Sequence, residues 1–156
     1  MTKVLFVCLG NICRSPTAEA VFRGLAEKED MLEDLVIDSC GTSGYHIGES
    51  PDDRAAAVAR RRGYDMSDLM GRQVNASDFE TFDYILAMDR ANLRDLRRQC
   101  PAAMQEKIAL FLTYSKKYSE DEVPDPYYGG AQGFDRVFDM VEDASIGLLE
   151  AIKART

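Results

Sequence analysis

The stretch Val4-Leu5-Phe6-Val7-Cys8-Leu9-Gly10-Asn11-Ile12-Cys13-Arg14-Ser15-Pro16 joins a four-residue apolar run to a helix start through one tight loop. The apolar run reads as a buried strand. Gly10 and Asn11 tolerate positive φ, and Ser15-Pro16 reads as an N-cap followed by a proline at the first helical position. Ala18, Val21, Phe22 and Leu25 then recur at i, i+3, i+4 and i+7, which predicts an amphipathic helix to about Glu27. The chain therefore opens strand, loop, helix.

The same alternation continues outward. Leu35-Val36-Ile37 reads as a second strand ending at Asp38-Ser39, before the turn-rich Cys40-Gly41-Thr42-Ser43-Gly44. Pro51-Asp52-Asp53 starts a helix that runs to Arg60-Arg61-Arg62-Gly63, where the cations suit a helix C-terminus. Tyr84 to Met88 is a third strand, Asp89 caps a helix carrying Leu93 and Leu96, and Ile108 to Leu112 is a fourth strand. A last helix begins near Gly133 or Phe134 and carries Val137, Phe138, Val141, Ile146, Leu149 and Ile152, with Gly147 costing some propensity. Residues 113–132 form a long connection without periodicity, a length more often functional than idle. The pattern implies an α/β fold: one domain over 1–156, a four-stranded parallel sheet flanked by helices on both faces in flavodoxin-like, doubly wound fashion. In such folds the site lies at the carboxyl ends of the strands, where the Cys8 loop falls.

A length of 156 residues with 46% apolar content suits a single full core. The formal charge of −8 opposes a nucleic-acid partner, so any anion site must be local. No stretch approaches a membrane span, and the run from Met1 to Val7 is too short for a signal-peptide core, so the expectation is a cytoplasmic chain with no membrane partner. Cysteines at 8, 13, 40 and 100 contain no C-x-x-C, and His46 is the single histidine. Neither a structural metal nor a cofactor is expected, and the thiols are read as reduced.

A Cys six positions before an Arg is weak evidence alone; the strand-to-helix setting gives it weight. There the N–H groups of residues 9–14 can turn inward as an anion nest, with the positive end of the helix dipole pointing into the same concavity. Arg14 would add a bidentate fork to two phosphate oxygens, and the same field favours the thiolate of Cys8 as a nucleophile. The Ser15 hydroxyl can hydrogen-bond that sulfur, besides or instead of capping the helix. The plain alternative is a strand-to-helix turn with two small buried cysteines.

Within the long connection lies Pro124-Asp125-Pro126-Tyr127-Tyr128-Gly129-Gly130, a carboxylate held between two prolines. Expelling a phenolic oxygen, with a pKa near about 10, needs a proton donor, and Asp125 suits that role. The same carboxylate could then accept a proton from water attacking a phosphocysteine. Read alone, Asp-Pro more often starts an Asx-type turn with tyrosines on the surface.

Residues 7–23, V-C-L-G-N-I-C-R-S-P-T-A-E-A-V-F-R, and residues 125–130, D-P-Y-Y-G-G, resemble low-molecular-weight protein tyrosine phosphatases. Val36 to Ser39, Ser43, Gly48-x-Ser50-Pro51-Asp52, Arg72-Gln73-Val74, Phe82 to Asp89 and Asn92 to Leu96 follow the same family, so the resemblance spans nearly the whole chain. It implies hydrolysis of phosphotyrosine and aryl phosphate monoesters, with Cys8 as nucleophile, Arg14 as transition-state clamp and Asp125 as general acid. Leu9, Gly10, Asn11, Ile12, Cys13 and Ser15 would form the phosphate loop, with Asn11, Ser15, Ser39 and Ser43 supporting it. Tyr45, Tyr127 and Tyr128 would wall the substrate ring. Ile12 matches tyrosine-directed members, where a threonine resembles phosphoarginine-directed ones. The implied partners are tyrosine-phosphorylated proteins, met by a monomer or weakly self-associating chain. Many relatives carry a histidine in the supporting network before Arg-Gln-Val; this chain has Leu69 near there, which implies a weaker network. His46 is read as a solvated rim residue and Asp89 chiefly as a cap.

Cys13 shares the loop with Cys8 and could resolve a sulfenate there as a reversible disulfide, a reading the resemblance supports beyond spacing. Two rival functions use the same loop. Arsenate reduction would pass oxidation to later cysteines, but only Cys100 lies there. A silent phosphotyrosine-binding module would need no nucleophile, yet all the chemistry-bearing residues are intact.

Overall fold

The computed structural model describes residues 1–128 and 130–155, the side chains of Tyr128 and Ala131 excepted. Four strands, β1 (Thr2–Cys8), β2 (Leu35–Gly41), β3 (Tyr84–Ala87) and β4 (Ile108–Leu110), form one parallel sheet in the order β2-β1-β3-β4. β1 is central because Val4, Leu5, Phe6 and Val7 are apolar without interruption and all four are fully buried. Strand alternation sends Val4 and Phe6 to one face and Leu5 and Val7 to the other.

The first face is covered by α1 (Arg14–Lys28), α2 (Asp53–Arg61) and α5 (Gly130–Arg155). Phe6 meets Phe22 of α1 edge-on, with centroids 5.7 Å apart, and Phe111 at 5.0 Å. Burying a ring of this size stabilises by about 3 kcal/mol at most. α3 (Ala76–Thr81) and α4 (Arg90–Gln99) cover the second face through Phe79 and Leu96. The three-arginine run at the end of α2 fastens helix to helix. Arg62 reaches Asp135, Asp139 and Glu142 of α5, and Arg61 reaches Asp135. No helix among the described residues is long and apolar enough to cross a membrane.

Several boundaries differ from the sequence reading. β2 extends to Gly41 because it pairs with β1 through Cys8↔Gly41, so tertiary pairing overrides the weak strand propensity of Ser39, Cys40 and Gly41. β4 stops at Leu110, where a 3-10 turn over Phe111–Tyr114 carries Phe111 into the first core. α3 was not anticipated, although Asn75 and Asp78 form a capping box at its start. α5 begins at Gly130, three or four residues earlier than its apolar pattern indicates. α1 begins at Arg14 with Cys13 as N-cap, so Ser15 is inside the helix and its side chain caps nothing.

Candidate active site

The loop after β1 lies at the β1/β3 side of the sheet's carboxyl edge, where strand order reverses. It continues the sheet. Thr42 N donates to Cys8 O at 2.9 Å and Ser43 N to Leu9 O at 3.0 Å, just beyond the last paired residues. Gly41 makes this close approach possible, since a Cβ there would stand 2.6 Å from Leu9 O. The loop turns at Asn11, whose φ of 56° is left-handed; Gly10 is not among the residues with positive φ.

Freed from capping, the Ser15 hydroxyl sits 3.0 Å from Cys8 Sγ, and Asn11 N donates to the same sulfur at 3.3 Å. Beneath, the Asn11 amide donates to Ser15 Oγ at 2.8 Å and Ser39 Oγ at 3.0 Å, while its Oδ1 accepts Arg72 N at 3.0 Å. Ser39 Oγ donates to Glu19 Oε1 at 2.7 Å, and Arg23 Nη2 donates to Glu19 Oε2 at 2.8 Å. Burial pushes the Glu19 carboxyl up, opposed by the Ser39 and Arg23 hydrogen bonds. Every polar atom of the Asn11 side chain is thus satisfied with Leu69 in place of a histidine. Leu69 packs on the apolar core. Ser43 contributes through its main chain, and its hydroxyl turns to Tyr45 N at 3.4 Å.

Arg14 is 7% exposed and donates through Nη1 to Asp89 Oδ2 at 2.8 Å and Val123 O at 3.0 Å. Burial opposes its charge, but Cys8, Asp89 and Asp125 outweigh it and push its pKa up. Asp89 is therefore cap and partner at once, since its Oδ1 accepts Asn92 N at 2.8 Å. Burial pushes the Cys13 thiol up, reinforced by Cys8 and Asp52. Burial does the same to Cys40.

A cavity of about 210 Å³ opens above the loop, lined by Cys8, Leu9, Gly10, Ile12, Cys13, Arg14, His46, Asp125, Pro126 and Tyr127. The nucleophile, clamp and acid candidates meet there although Asp125 is far away in sequence. Asp125 also makes the Asx-type turn that its sequence suggests, Tyr127 N donating to Oδ1 at 3.0 Å. The Tyr127 hydroxyl donates to Asp52 Oδ2 at 3.1 Å, and burial followed by that carboxylate pushes its pKa up to about 12. Tyr45 is 85% exposed and lies outside the cavity lining, whereas its neighbour His46 lines it and bonds Glu49 Oε2 at 2.7 Å. The Tyr128 side chain lies outside the described residues.

Sequence reading ranked a coupling of Asp89 to the site below its cap role, and the structure gives it both. The Arg14 contact with Val123 and the Arg72 contact with Asn11 were missed. The Glu19–Arg23 pair, four residues apart on one helix, was legible by spacing.

Comparison with known proteins agrees with this geometry. The family model described as low molecular weight phosphotyrosine protein phosphatase matches residues 3–156. The low molecular weight phosphotyrosine protein phosphatase of Schizosaccharomyces pombe is 46% identical over 156 residues, covering 97% of this chain and 99% of its own. The Homo sapiens protein of the same name is 47% identical over 137 residues, covering 86% and 85%. A crystal structure of a protein tyrosine phosphatase from Entamoeba histolytica superposes with a TM-score of 0.95 at 44% identity, covering 99% of this chain and 98% of that one. A thiol on an anion loop, a buried arginine behind it and a carboxylate across the cavity thus come with kinship along the whole length, and the chain belongs to the low molecular weight phosphotyrosine protein phosphatase family.

Proposed function

We propose that this chain hydrolyses phosphotyrosine and aryl phosphate monoesters through a phosphocysteine on Cys8. Cys8 Sγ attacks phosphorus while the N–H groups of residues 9–14 and the Arg14 guanidinium hold the phosphoryl oxygens. Asp125, protonated, gives its proton to the departing phenolic oxygen. The resulting carboxylate takes a proton from the water that attacks phosphocysteine, phosphate leaves, and the thiolate returns to the Ser15 hydroxyl. The observation that carries this reading is that Cys8, Arg14 and Asp125 line one cavity.

Tyr127 and Tyr128 wall the ring, Tyr45 stands at its rim, and Ile12 favours phosphotyrosine. Ser39 and Ser43 hold the loop in place. The substrates are tyrosine-phosphorylated proteins in the cytoplasm, and the chain acts as a monomeric or weakly self-associating domain over 1–156 without a cofactor. Under peroxide, Cys8 thiolate takes one oxygen to become a sulfenate. The Cys13 thiol then attacks that sulfur, closing a disulfide and releasing water.

Rapid acid quench should trap phosphate on Cys8 and not in Cys8→Ser. Asp125→Asn should lower kcat/KM about 100-fold for a phenyl phosphate and only a few-fold for an activated nitrophenyl ester. Equal loss on both substrates would remove Asp125 from the acid role. Cys13→Ser that recovers from peroxide as fully as wild type would remove the resolving role.

A further inference from the structure

The acid loop is fastened at both ends, and the two fastenings differ. Upstream, Val123 N donates to Met88 O at 2.8 Å and Val123 O accepts from Arg14, so that end belongs to the phosphate site itself. Downstream, Tyr127 is held by two residues at the start of α2 that do not line the cavity. Asp52 Oδ2 accepts the Tyr127 hydroxyl at 3.1 Å. The Arg54 guanidinium lies 4.8 Å from the centroid of the Tyr127 ring and 4.8 Å from that of Phe134, and the two rings meet edge-on.

Arg54 also fixes Asp52. Its N and Nε donate to Asp52 Oδ1 at 2.9 and 3.2 Å, and its Nη2 donates to Oδ2 at 3.1 Å. Asp52 in turn donates its own N–H to Ile12 O at 2.7 Å, inside the nucleophile's loop. A continuous chain of contacts therefore runs from Ile12 through Asp52 and Arg54 to Tyr127, two residues beyond Asp125. Capping of α2 needs only the Asp52 side chain and Arg54 N. The fork and the two ring contacts go beyond that need.

We infer that Arg54 is a positioning residue for the general acid. By holding the Tyr127 ring and hydroxyl against Asp52, it sets the distance between Asp125 and the leaving oxygen above Cys8. The inference rests on the acid role proposed for Asp125. Arg54 does not line the cavity, so its contribution falls on proton donation and spares anion binding.

The test compares Arg54→Met, Asp125→Asn and the double variant in the whole protein. Methionine keeps an unbranched apolar stem and the backbone cap while removing fork and cation. Arg54→Met should lose about tenfold in kcat/KM for phenyl phosphate, within twofold for the activated nitrophenyl ester, with inhibition by inorganic phosphate unchanged. In the Asp125→Asn background the same change should add less than twofold, because the group it positions is gone. Equal loss on both esters, weakened phosphate inhibition, or full additivity would each overturn the inference, as would no loss at all. If Asp125→Asn itself shows no dependence on leaving group, the acid reading falls and Arg54 falls with it.

Discussion

Asp89 divides its carboxylate between two tasks: Oδ1 accepts the N–H of Asn92 at the start of α4, and Oδ2 holds Arg14 Nη1 at 2.8 Å. Asparagine is as good a cap as aspartate but carries no charge to offset a buried guanidinium. Asp89→Asn keeps the cap but strips the buried Arg14 of its counter-charge, so it should cost about 3 kcal/mol of stability and lower kcat/KM about tenfold, whereas Asp89→Ala should lose about 1 kcal/mol more through the cap. Denaturant unfolding beside steady-state kinetics separates the two tasks, and equal stability of the two variants would deny the capping role.

Arg14→Lys should reduce kcat/KM by at least about 100-fold on every ester regardless of leaving group. An ammonium cannot keep Asp89 and Val123 O on one nitrogen while presenting a planar fork to phosphate. Kinetics close to wild type would contradict the clamp assignment. The pattern also distinguishes Arg14 from Asp125, whose loss is selective.

Asp143 accepts Ser115 Oγ at 2.5 Å and the N–H groups of Lys116 and Lys117 at 3.0 and 3.1 Å. Burial raises its pKa, but these bonds outweigh burial and hold the carboxyl below the usual range. A lowered folded value means stability that is present above the ordinary carboxylate pKa, near about 4, and lost as pH falls through the folded value. Asp143→Ala should cost about 1 kcal/mol at neutral pH, with the gap to wild type narrowing in urea titrations from about pH 4 downward. A gap independent of pH would show that the charge plays no part.

Gly147 sits inside α5, where glycine usually weakens a helix. Here a Cβ would stand 1.9 Å from Tyr114 O, so the 3-10 turn after β4 packs directly on the helix backbone. Gly147→Ala should destabilise by about 2 kcal/mol despite its better propensity. A raised Tm would show that the turn can move aside.

The nucleophile's loop was legible in sequence because its signals are local: strand, Asn11, Arg14 and helix start lie within a dozen residues. Ser15 shows the limit of such reading. Its position before proline looks like a cap, yet the hydroxyl is drawn to Cys8 and Asn11, and the helix begins two residues earlier. Asp125 needed the distant loop to acquire meaning, since the Asx turn its neighbours predict is also formed. Arg14 and Asp89 are 75 positions apart, and no local pattern encodes such a pair. β2 was drawn too short for the same reason, because its last residues become strand only against β1.

Because Thr42 and Ser43 donate to the carbonyls of Cys8 and Leu9, the start of the Cys8 loop is in effect the end of the central strand pair. The Thr42 and Ser43 amides should therefore exchange with solvent deuterium as slowly as those of β1, through opening of the whole fold instead of local fraying. Catalytic activity in rising urea should then disappear together with the sheet, which makes turnover a reporter of global unfolding in this protein.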